Sequence, residues 1–182
     1  MPKVIIIGDG PAGLSAALFL AKAGSEAVVY GQDKTPMHYA MVYNYLGIKE
    51  ITGPEFQKLA REQVTDMGAK LVDHEVASID RNDTGFTVTT IDGQTNSAPF
   101  LIIAAGKKPE FAEAIGLTIN EQQTIDADRN GCSEIENCYV IGWSTRPDKI
   151  QAIISAGDGA AAALDILSKE AGKDIHDFDN LD

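Results

Sequence analysis

The sequence predicts an α/β fold in which a parallel sheet carries helices and is joined to a small antiparallel β-meander. The first of three observations is the run of β-branched residues in KVIIIG (3–8), typical of a strand buried on both faces of a parallel sheet. The second is the helical spacing of apolar residues in DGPAGLSAALFLAKAG (9–24), with Gly24 as a candidate C-cap. The third is a further buried strand, EAVVYG (26–31), which completes a βαβ unit.

The next stretch, residues 32–51, lacks a regular pattern, and so long a loop inside a compact domain is usually functional. A helix is predicted over residues 52–69, with Thr52 as a candidate N-cap and Glu55 three residues later. One face of this helix carries the apolar residues Phe56, Leu59, Ala60, Val64 and Met67. We interpret KLVDHEVASID (70–80) as a third parallel strand.

An antiparallel meander and two more buried strands follow. GFTVTT (85–90) alternates in polarity, and the dipeptide Asp92-Gly93 predicts a tight hairpin. FLIIAAG (100–106) and CYVIG (138–142) are continuous apolar runs and are predicted to be buried strands. The final helix is predicted from Gln151 to Ala171.

The bulk composition limits the number of domains and the class of partner. A chain of 182 residues predicts one domain, over residues 1–172, with an acidic, solvated or frayed tail over residues 173–182. A net charge of -12 argues against a nucleic-acid partner and against an anionic membrane surface. No apolar run approaches the roughly 20 residues that span a bilayer, and no cationic leader precedes the first strand, so we expect a cytoplasmic protein.

The two cysteines carry little functional signal. Cys132 and Cys138, in GCSEIENCY, have neither the CxxC spacing of a redox site nor that of a zinc site. We therefore expect two incidental thiols, with Cys138 opening a buried strand, and no metal site.

The motif Gly8-x-Gly10-x-x-Gly13 lies directly after the first strand and opens the first helix. In this context the glycines permit a tight turn, close approach of a pyrophosphate, and close helix packing, so the motif predicts a Rossmann-like dinucleotide-binding fold. The motif is ordinarily completed by an acid at the end of the second strand that binds the adenosine ribose. Tyr30 or Gly31 occupies that place here, and Gln32 or Asp33 could take over the contact.

Four stretches together resemble the thioredoxin reductase-like family of flavoproteins. They are IIIGDGPAGLSAALFLAKAG (5–24), the segment from NYLGI to VASID (44–80), LIIAAGKKP (101–109), and IENCYVIGW with the helix after it (135–167). The resemblance covers nearly the whole chain but only half of the family's protein. The family's NADPH-binding domain, with a second glycine fingerprint and a redox CxxC, would lie between the segments matching LIIAAG and YVIG, and both motifs are absent there.

The resemblance implies a FAD-binding domain. It places the FAD pyrophosphate at Gly8 to Gly13, the loop 31–41 on the flavin side, the Val76 backbone at the adenine, and the start of the last helix at the isoalloxazine. The cofactor-binding residues so implied are Gly8, Gly10, Pro11, Ala12, Gly13, Tyr30, Gly31, Gln32, Asp33, Tyr43, Asn44, Val76, Ala105, Gly106, Gly142, Trp143, Gln151, Ala152 and Ile153. Catalytic residues are not assigned.

One departure from the family falls at Gly142-Trp143, where the family has Gly-Asp and its aspartate binds a ribityl hydroxyl. Losing a charge-assisted hydrogen bond weakens binding about tenfold to a hundredfold unless another group replaces it. The candidates for replacement are Ser144, Thr145 and Asp148.

The remaining polar and aromatic side chains leave alternatives open. Trp143, Tyr39, Tyr43 and Tyr45 either wall the flavin or are core and interface aromatics. His38 is either a general acid or a solvated loop residue. Arg146 and Lys149 either attract an anionic substrate or are solvated charges.

We expect a small FAD-binding flavoprotein oxidoreductase, reduced by an external donor (NAD(P)H or a protein) and reoxidised by an unknown acceptor. The alternative is a non-catalytic FAD-binding electron-transfer or sensory module, while NAD binding without flavin is disfavoured by the later stretches. The resemblance further implies a homodimer formed through an apolar, aromatic face near the flavin.

Overall fold

The computed structural model describes residues 3–180. Its strands are β1 (Val4–Ile7), β2 (Ala27–Tyr30), β3 (Met41–Val42), β4 (Ile51–Thr52), β5 (Lys70–Val72), β6 (Val76–Asn82), β7 (Gly85–Thr90), β8 (Thr95–Ala98), β9 (Phe100–Ile103) and β10 (Cys138–Val140). Its helices are α1 (Pro11–Lys22), α2 (Gly53–Asp66), α3 (Glu110–Ala114) and α4 (Ala152–Ala171). Two 3₁₀ turns cover Pro36–Tyr39 and Gly142–Thr145.

Five parallel strands form the central sheet in the order β10-β9-β1-β2-β5. β1 lies in the middle, with Val4 paired to Ala27 on one side and to Phe100 on the other. The predicted α/β fold with a parallel sheet is confirmed. All residues of β1, β2, β9 and β10 are buried, as their continuous apolar sequences predict.

The two faces of the sheet build two separate cores, because successive side chains of a strand point to opposite faces. Val4 and Ile6 pack on the side of α1, α2 and α4, together with residues such as Leu20 and Ile166. Ile5 and Ile7 pack on the opposite side, where the meander and the segment containing α3 cover the sheet. The helices on one side and the meander on the other leave the carboxyl ends of β1, β2 and β9 at a common edge.

The prediction of one strand over residues 70–80 was wrong. The segment divides into β5, which pairs in parallel with β2, and β6, which pairs antiparallel with β7 in the three-stranded meander β6-β7-β8. Residues 73–75 lie between β5 and β6, belong to neither strand, and are exposed. The physical reason is that β5 is the edge of the parallel sheet, while in β6 only Ile79 is buried, the pattern of a half-exposed strand.

Helix α2 begins as predicted but presents a different face to the core. The Thr52 hydroxyl accepts a hydrogen bond from the Glu55 amide at 3.3 Å, which confirms the N-cap. Val64 is buried as expected, whereas Leu59 and Met67 are 51% and 43% exposed, so those two assignments were wrong. The buried residues of α2 are Gly53, Gln57 and Val64, so one of its inward positions is polar.

Shorter elements and tail contacts were absent from the sequence prediction. The loop 32–51 contains a 3₁₀ turn and the two-residue ribbon β3-β4, in which Met41 pairs with Thr52. The tail after Gly172 is mostly exposed, yet Lys22 of α1 forms ion pairs with Asp177 and Asp179. None of the helices within residues 3–180 is long and apolar enough to cross a membrane.

Candidate functional site

A cleft of about 420 Å³ opens at the carboxyl ends of β1, β2 and β9. This is the edge at which open parallel sheets bind ligands, and the volume lies in the range of cofactor and small-molecule sites. The predicted site residues that line the cleft are Gly8, Gly10, Pro11, Ala12, Tyr30, Gly31, Gln32, Asn44, Val76, Ala105, Gly106, Trp143, Gln151 and Ala152.

The glycine fingerprint forms the floor of the cleft. Gly8 has φ +106°, and a Cβ there would lie 2.3 Å from the Ala104 oxygen, so only glycine fits. Gly13 does not line the cleft but lets α1 lie against the turn, since a Cβ would lie 1.9 Å from the Gly8 oxygen. Gly10 caps α1 without a side-chain hydrogen bond, so the first amides of the helix remain available to a ligand. This arrangement fits a dinucleotide diphosphate.

Asp9, inside the fingerprint, is a buried acid that the sequence analysis did not single out. Gln57 of α2 donates from Nε2 to the Asp9 backbone oxygen at 2.5 Å, and Arg61 donates to Asp9 Oδ2. Arg61 also donates to Asp73 Oδ1 at 2.6 Å. These contacts explain why α2 turns Gln57 and Arg61 inward, one helical turn apart, in place of Leu59. The only sequence signal was an acid at a variable position of the motif.

Arg61 remains positively charged beside Asp9. Burial alone would lower the pKa of the Arg61 guanidinium. The hydrogen bond to Asp73 and the charges of Asp9 and Asp73 outweigh burial, and the pKa is raised above its ordinary value.

The end of β2 forms the wall beside Asp9. The Tyr30 hydroxyl is held by the Asn96 amide at 2.5 Å, and Gln32 accepts a hydrogen bond from Lys34. Asp33 does not line the cleft, because its amide donates to Asp9 and its carboxylate contacts His38 Nε2 at 3.0 Å. His38 is therefore engaged with Asp33 outside the cleft lining.

The start of α4 forms another wall of the cleft. Gln151 is the N-cap residue of α4, but its side chain makes no capping hydrogen bond to the helix. Its Oε1 instead accepts a hydrogen bond from Asn44 Nδ2 at 2.8 Å. Ala152 lines the cleft, whereas Ile153 does not line it and is 36% exposed. The free amides of this first turn place partial positive charge at the cleft.

Trp143 lines the cleft as a half-buried side chain, and the Lys107 ammonium lies 5.0 Å from its ring centroid. Its indole nitrogen is buried and has no hydrogen-bond partner within residues 3–180. The neighbouring hydroxyls are already used, since Ser144 donates to the Gly106 oxygen and Thr145 to the Gly142 oxygen. Gly142 itself lies beneath Ala12, outside the cleft lining.

Five further candidates from the sequence analysis do not line this cleft: Tyr39, Tyr43, Tyr45, Arg146 and Lys149. Tyr39 is 94% exposed, Tyr43 is exposed, and Tyr45 packs against the Phe56 ring at 5.5 Å between centroids. Arg146 forms a bidentate pair with Asp158 and is not free for a substrate anion. Met37 lines the cleft within the loop 31–41 that the resemblance placed on the flavin side, whereas the sequence analysis missed Lys108, Phe111 and Ser155. Of the missed residues, only Ser155 could have been found from the sequence, because it lies one helical turn after Gln151.

Both cysteines lie outside the cleft lining. Cys138 is buried in β10, and burial raises the pKa of its thiol to about 12. Cys132 contacts Asp165 and Lys169 of α4, and its pKa is also raised, first by burial and then by the Asp165 hydrogen bond. Neither thiol is disposed to ionise at neutral pH.

Comparison with protein families gives two matches that together span most of the chain. The model described as "Pyridine nucleotide-disulphide oxidoreductase" matches residues 42–157, and the one described as "FAD binding domain" matches residues 1–41. These matches confirm FAD as the cofactor that the resemblance implied.

Among curated proteins, a bifunctional thioredoxin reductase/thioredoxin from Mycobacterium leprae is 32% identical over 93% of this chain and 36% of its own length. A thioredoxin reductase from Streptomyces coelicolor is 30% identical over 93% of this chain and 51% of its own length. The chain thus spans about half the length of its curated relatives or less. Among solved structures, a thioredoxin reductase from Gloeobacter violaceus aligns with a TM-score of 0.87 at 15% identity, over 98% of both chains.

Proposed function

Because the chain belongs to the pyridine nucleotide-disulphide oxidoreductase family, we propose that it is an FAD-dependent oxidoreductase with an external electron donor and an external acceptor. The observation that carries the proposal is the single cleft that joins the glycine fingerprint to the start of α4. Two helix N-termini therefore face one ligand site, which suits a cofactor with a diphosphate at one end and a ring that gains negative charge at the other.

Different residues of the cleft would bind different parts of FAD. The first turn of α1, from Gly10 to Ala12, binds the diphosphate through backbone amides. Asn44 holds Gln151 in place by its hydrogen bond, and this fixes the start of α4 against the cofactor. Val76 and the end of β2 line the adenosine end of the cleft.

When bound, FAD supplies hydride and single-electron transfer. The first turn of α4 favours negative charge on the reduced ring through its free amides, which requires only backbone groups. Met37, Trp143 and Phe111 line the cleft and would limit the access of water to the flavin ring.

The acceptor is proposed to lie outside this chain. Cys132 and Cys138 are both outside the cleft lining, and burial keeps the Cys138 thiol protonated. These two cysteines would therefore not receive electrons from a bound cofactor, and the proposed acceptor is another molecule. NADH, NADPH or a reduced protein would serve as the donor.

The purified protein tests this proposal directly. We expect a flavin absorption spectrum, and bleaching under anaerobic conditions on mixing with NADH or NADPH in a stopped-flow instrument. Bleaching with neither would contradict a nicotinamide donor, and a protein that binds no FAD would contradict the proposal as a whole.

A pair of substitutions at Gly10 gives a matched control for the site. Gly10 has φ -75° and a Cβ there would meet nothing closer than Thr35 Oγ1 at 3.5 Å, so Gly10→Ala and Gly10→Asp should both fold. Aspartate is a favourable N-cap, but it places a negative charge where the diphosphate binds. Because Gly10 lets the diphosphate approach the backbone closely, we expect Gly10→Ala to weaken FAD binding and Gly10→Asp to abolish it.

An electron-transfer module is the second candidate function. It is favoured by the exposed apolar side chains of Tyr39, Met41, Tyr43 and Leu46, on a segment that continues into the cleft. Such a surface suits a protein partner. Slow reduction by every small donor, together with tight FAD binding, would favour this function over the first.

The same exposed segment supports a homodimer. Leu46 is 89% exposed, and the partly exposed Ile153 projects from the nearby start of α4. A second copy covering these side chains would remove apolar surface from water.

A further inference from the structure

We propose that Asp9 accepts hydrogen bonds from the adenosine ribose hydroxyls of the bound dinucleotide. It would replace the acid that glycine fingerprints ordinarily carry at the end of the second strand. The inference rests on the proposed FAD site. It assigns the ribose contact to Asp9, which lies in the turn between β1 and α1.

The carboxylate of Asp9 lies in the space where a side chain at the end of β2 would begin. A Cβ built on Gly31 would lie 2.2 Å from Asp9 Cγ and 2.4 Å from Asp9 Oδ1. Gly31 therefore has no room for the usual acid, and the group that excludes it is itself an acid. A carboxylate therefore lies beside the end of β2, but it belongs to Asp9, which follows β1.

The two oxygens of the Asp9 carboxylate have different surroundings. Oδ2 accepts from the Asp33 amide at 2.9 Å and from the Arg61 guanidinium. Oδ1 has no hydrogen-bond partner within residues 3–180, although Asp9 is only 5% exposed and lines the cleft. Oδ1 is not among the fully buried atoms that lack a partner, so it is open to the cleft, where it can accept a hydrogen bond from a ribose hydroxyl.

The other acids and amides near this wall are unsuited to the contact. The Asp33 carboxylate is turned to His38 and does not line the cleft. Gln32 is paired with Lys34. Glu75 lines the cleft but is exposed to solvent, so it needs no ligand to satisfy it.

This arrangement also makes a prediction about ligand class. A carboxylate that accepts from a ribose diol repels a phosphate on the 2′-oxygen. The cleft should therefore take an adenosine with free 2′- and 3′-hydroxyls and reject a 2′-phosphorylated one.

The first test compares two acid-to-amide variants in their binding of FAD to the apoprotein, measured by calorimetry. Asp9→Asn should weaken binding about tenfold to a hundredfold, the cost of one or two charged hydrogen bonds. Asp80→Asn makes the same change on the exposed face of β6, outside the cleft lining, and should change the affinity less than about threefold. Equal affinities of Asp9→Asn and the native chain would overturn the inference.

The second test changes the ligand, so its main comparison uses the native, folded chain, and Asp9→Asn serves as a control. The native apoprotein is titrated with FAD and with an FAD analogue that lacks the 2′-hydroxyl of its adenosine ribose. We expect the analogue to bind about tenfold more weakly to the native chain, and with no further loss to Asp9→Asn. If the native chain binds both equally, the inference fails while the proposed function stands. If it binds neither, both fail.

Discussion

Gly159 of α4 lies directly against the backbone of Ala12 in α1. A Cβ at position 159 would lie 2.1 Å from the Ala12 oxygen and 2.9 Å from the Ala16 nitrogen. Nearby, Ser15 donates from its hydroxyl to the Ala156 oxygen at 2.7 Å. Since both helices begin at the cleft, their close approach sets the distance between the diphosphate wall and the α4 wall.

Gly159→Ala is expected to destabilise the fold by about 1–3 kcal/mol, because the added methyl group meets backbone that cannot move aside. Gly157→Ala, two residues earlier in the same helix, meets nothing within 4 Å. That control should be neutral or stabilise by up to about 1 kcal/mol. Urea unfolding of the three proteins measures both effects, and equal destabilisation by the two variants would contradict the contact.

FAD binding is expected to quench the intrinsic tryptophan fluorescence. Trp143 is the only tryptophan in the chain and lines the cleft, so the whole signal reports on one position. Titration with FAD should give a saturating loss of emission with the same dissociation constant as calorimetry. Unchanged emission at full occupancy would show that Trp143 does not lie beside the bound cofactor.

Trp143→Asp is expected to tighten FAD binding. The substitution restores the residue that the family resemblance places here, and Ser144 and Thr145 cannot replace it while they donate to backbone oxygens. The gain should be about tenfold or more, the value of one charged hydrogen bond. Trp143→Phe is the control for loss of the indole alone, and equal affinities of the two variants would contradict a role for the carboxylate.

Stability is expected to fall above pH 9. Burial raises the pKa of Cys138 from an ordinary 9.0 to about 12, so its contribution is fully present below pH 9. As the pH rises from 9 towards 12, the unfolded thiol ionises while the folded one does not, which costs up to about 1.4 kcal/mol per pH unit. Cys138→Ala should have a shallower alkaline slope in unfolding experiments between pH 8 and about 10.5. An unchanged slope would contradict the burial of this thiol.

Leu46→Glu is expected to convert a homodimer to a monomer. The side chain is 89% exposed on the proposed dimer face, and burying a carboxylate there without a partner is costly. Ile91→Glu, on the exposed hairpin of the meander, is the matched control and should leave the dimer intact. Sedimentation at micromolar concentration measures the mass, and a native chain that is already monomeric would contradict the dimer.

Local sequence rules predicted the elements whose signals are local. The β-branched runs of β1 and β2, the glycine fingerprint and the Thr52 cap all depend on neighbours within a few residues, and the structure confirms each. The face of α2 was mispredicted because apolar spacing identified Leu59 as inward. A polar contact with Asp9, far away in the chain, brought Gln57 inward instead.

The sequence by itself determined the class of fold and the kind of ligand, because a strand, a glycine turn and a helix in succession build a diphosphate site from backbone alone. Only the tertiary structure decided which side chains surround that ligand. Asp9 and Gly31 meet across two parallel strands, and Asp9 is held by Arg61 from a third element. Such contacts follow from sheet order and helix packing, and spacing along the chain does not encode them.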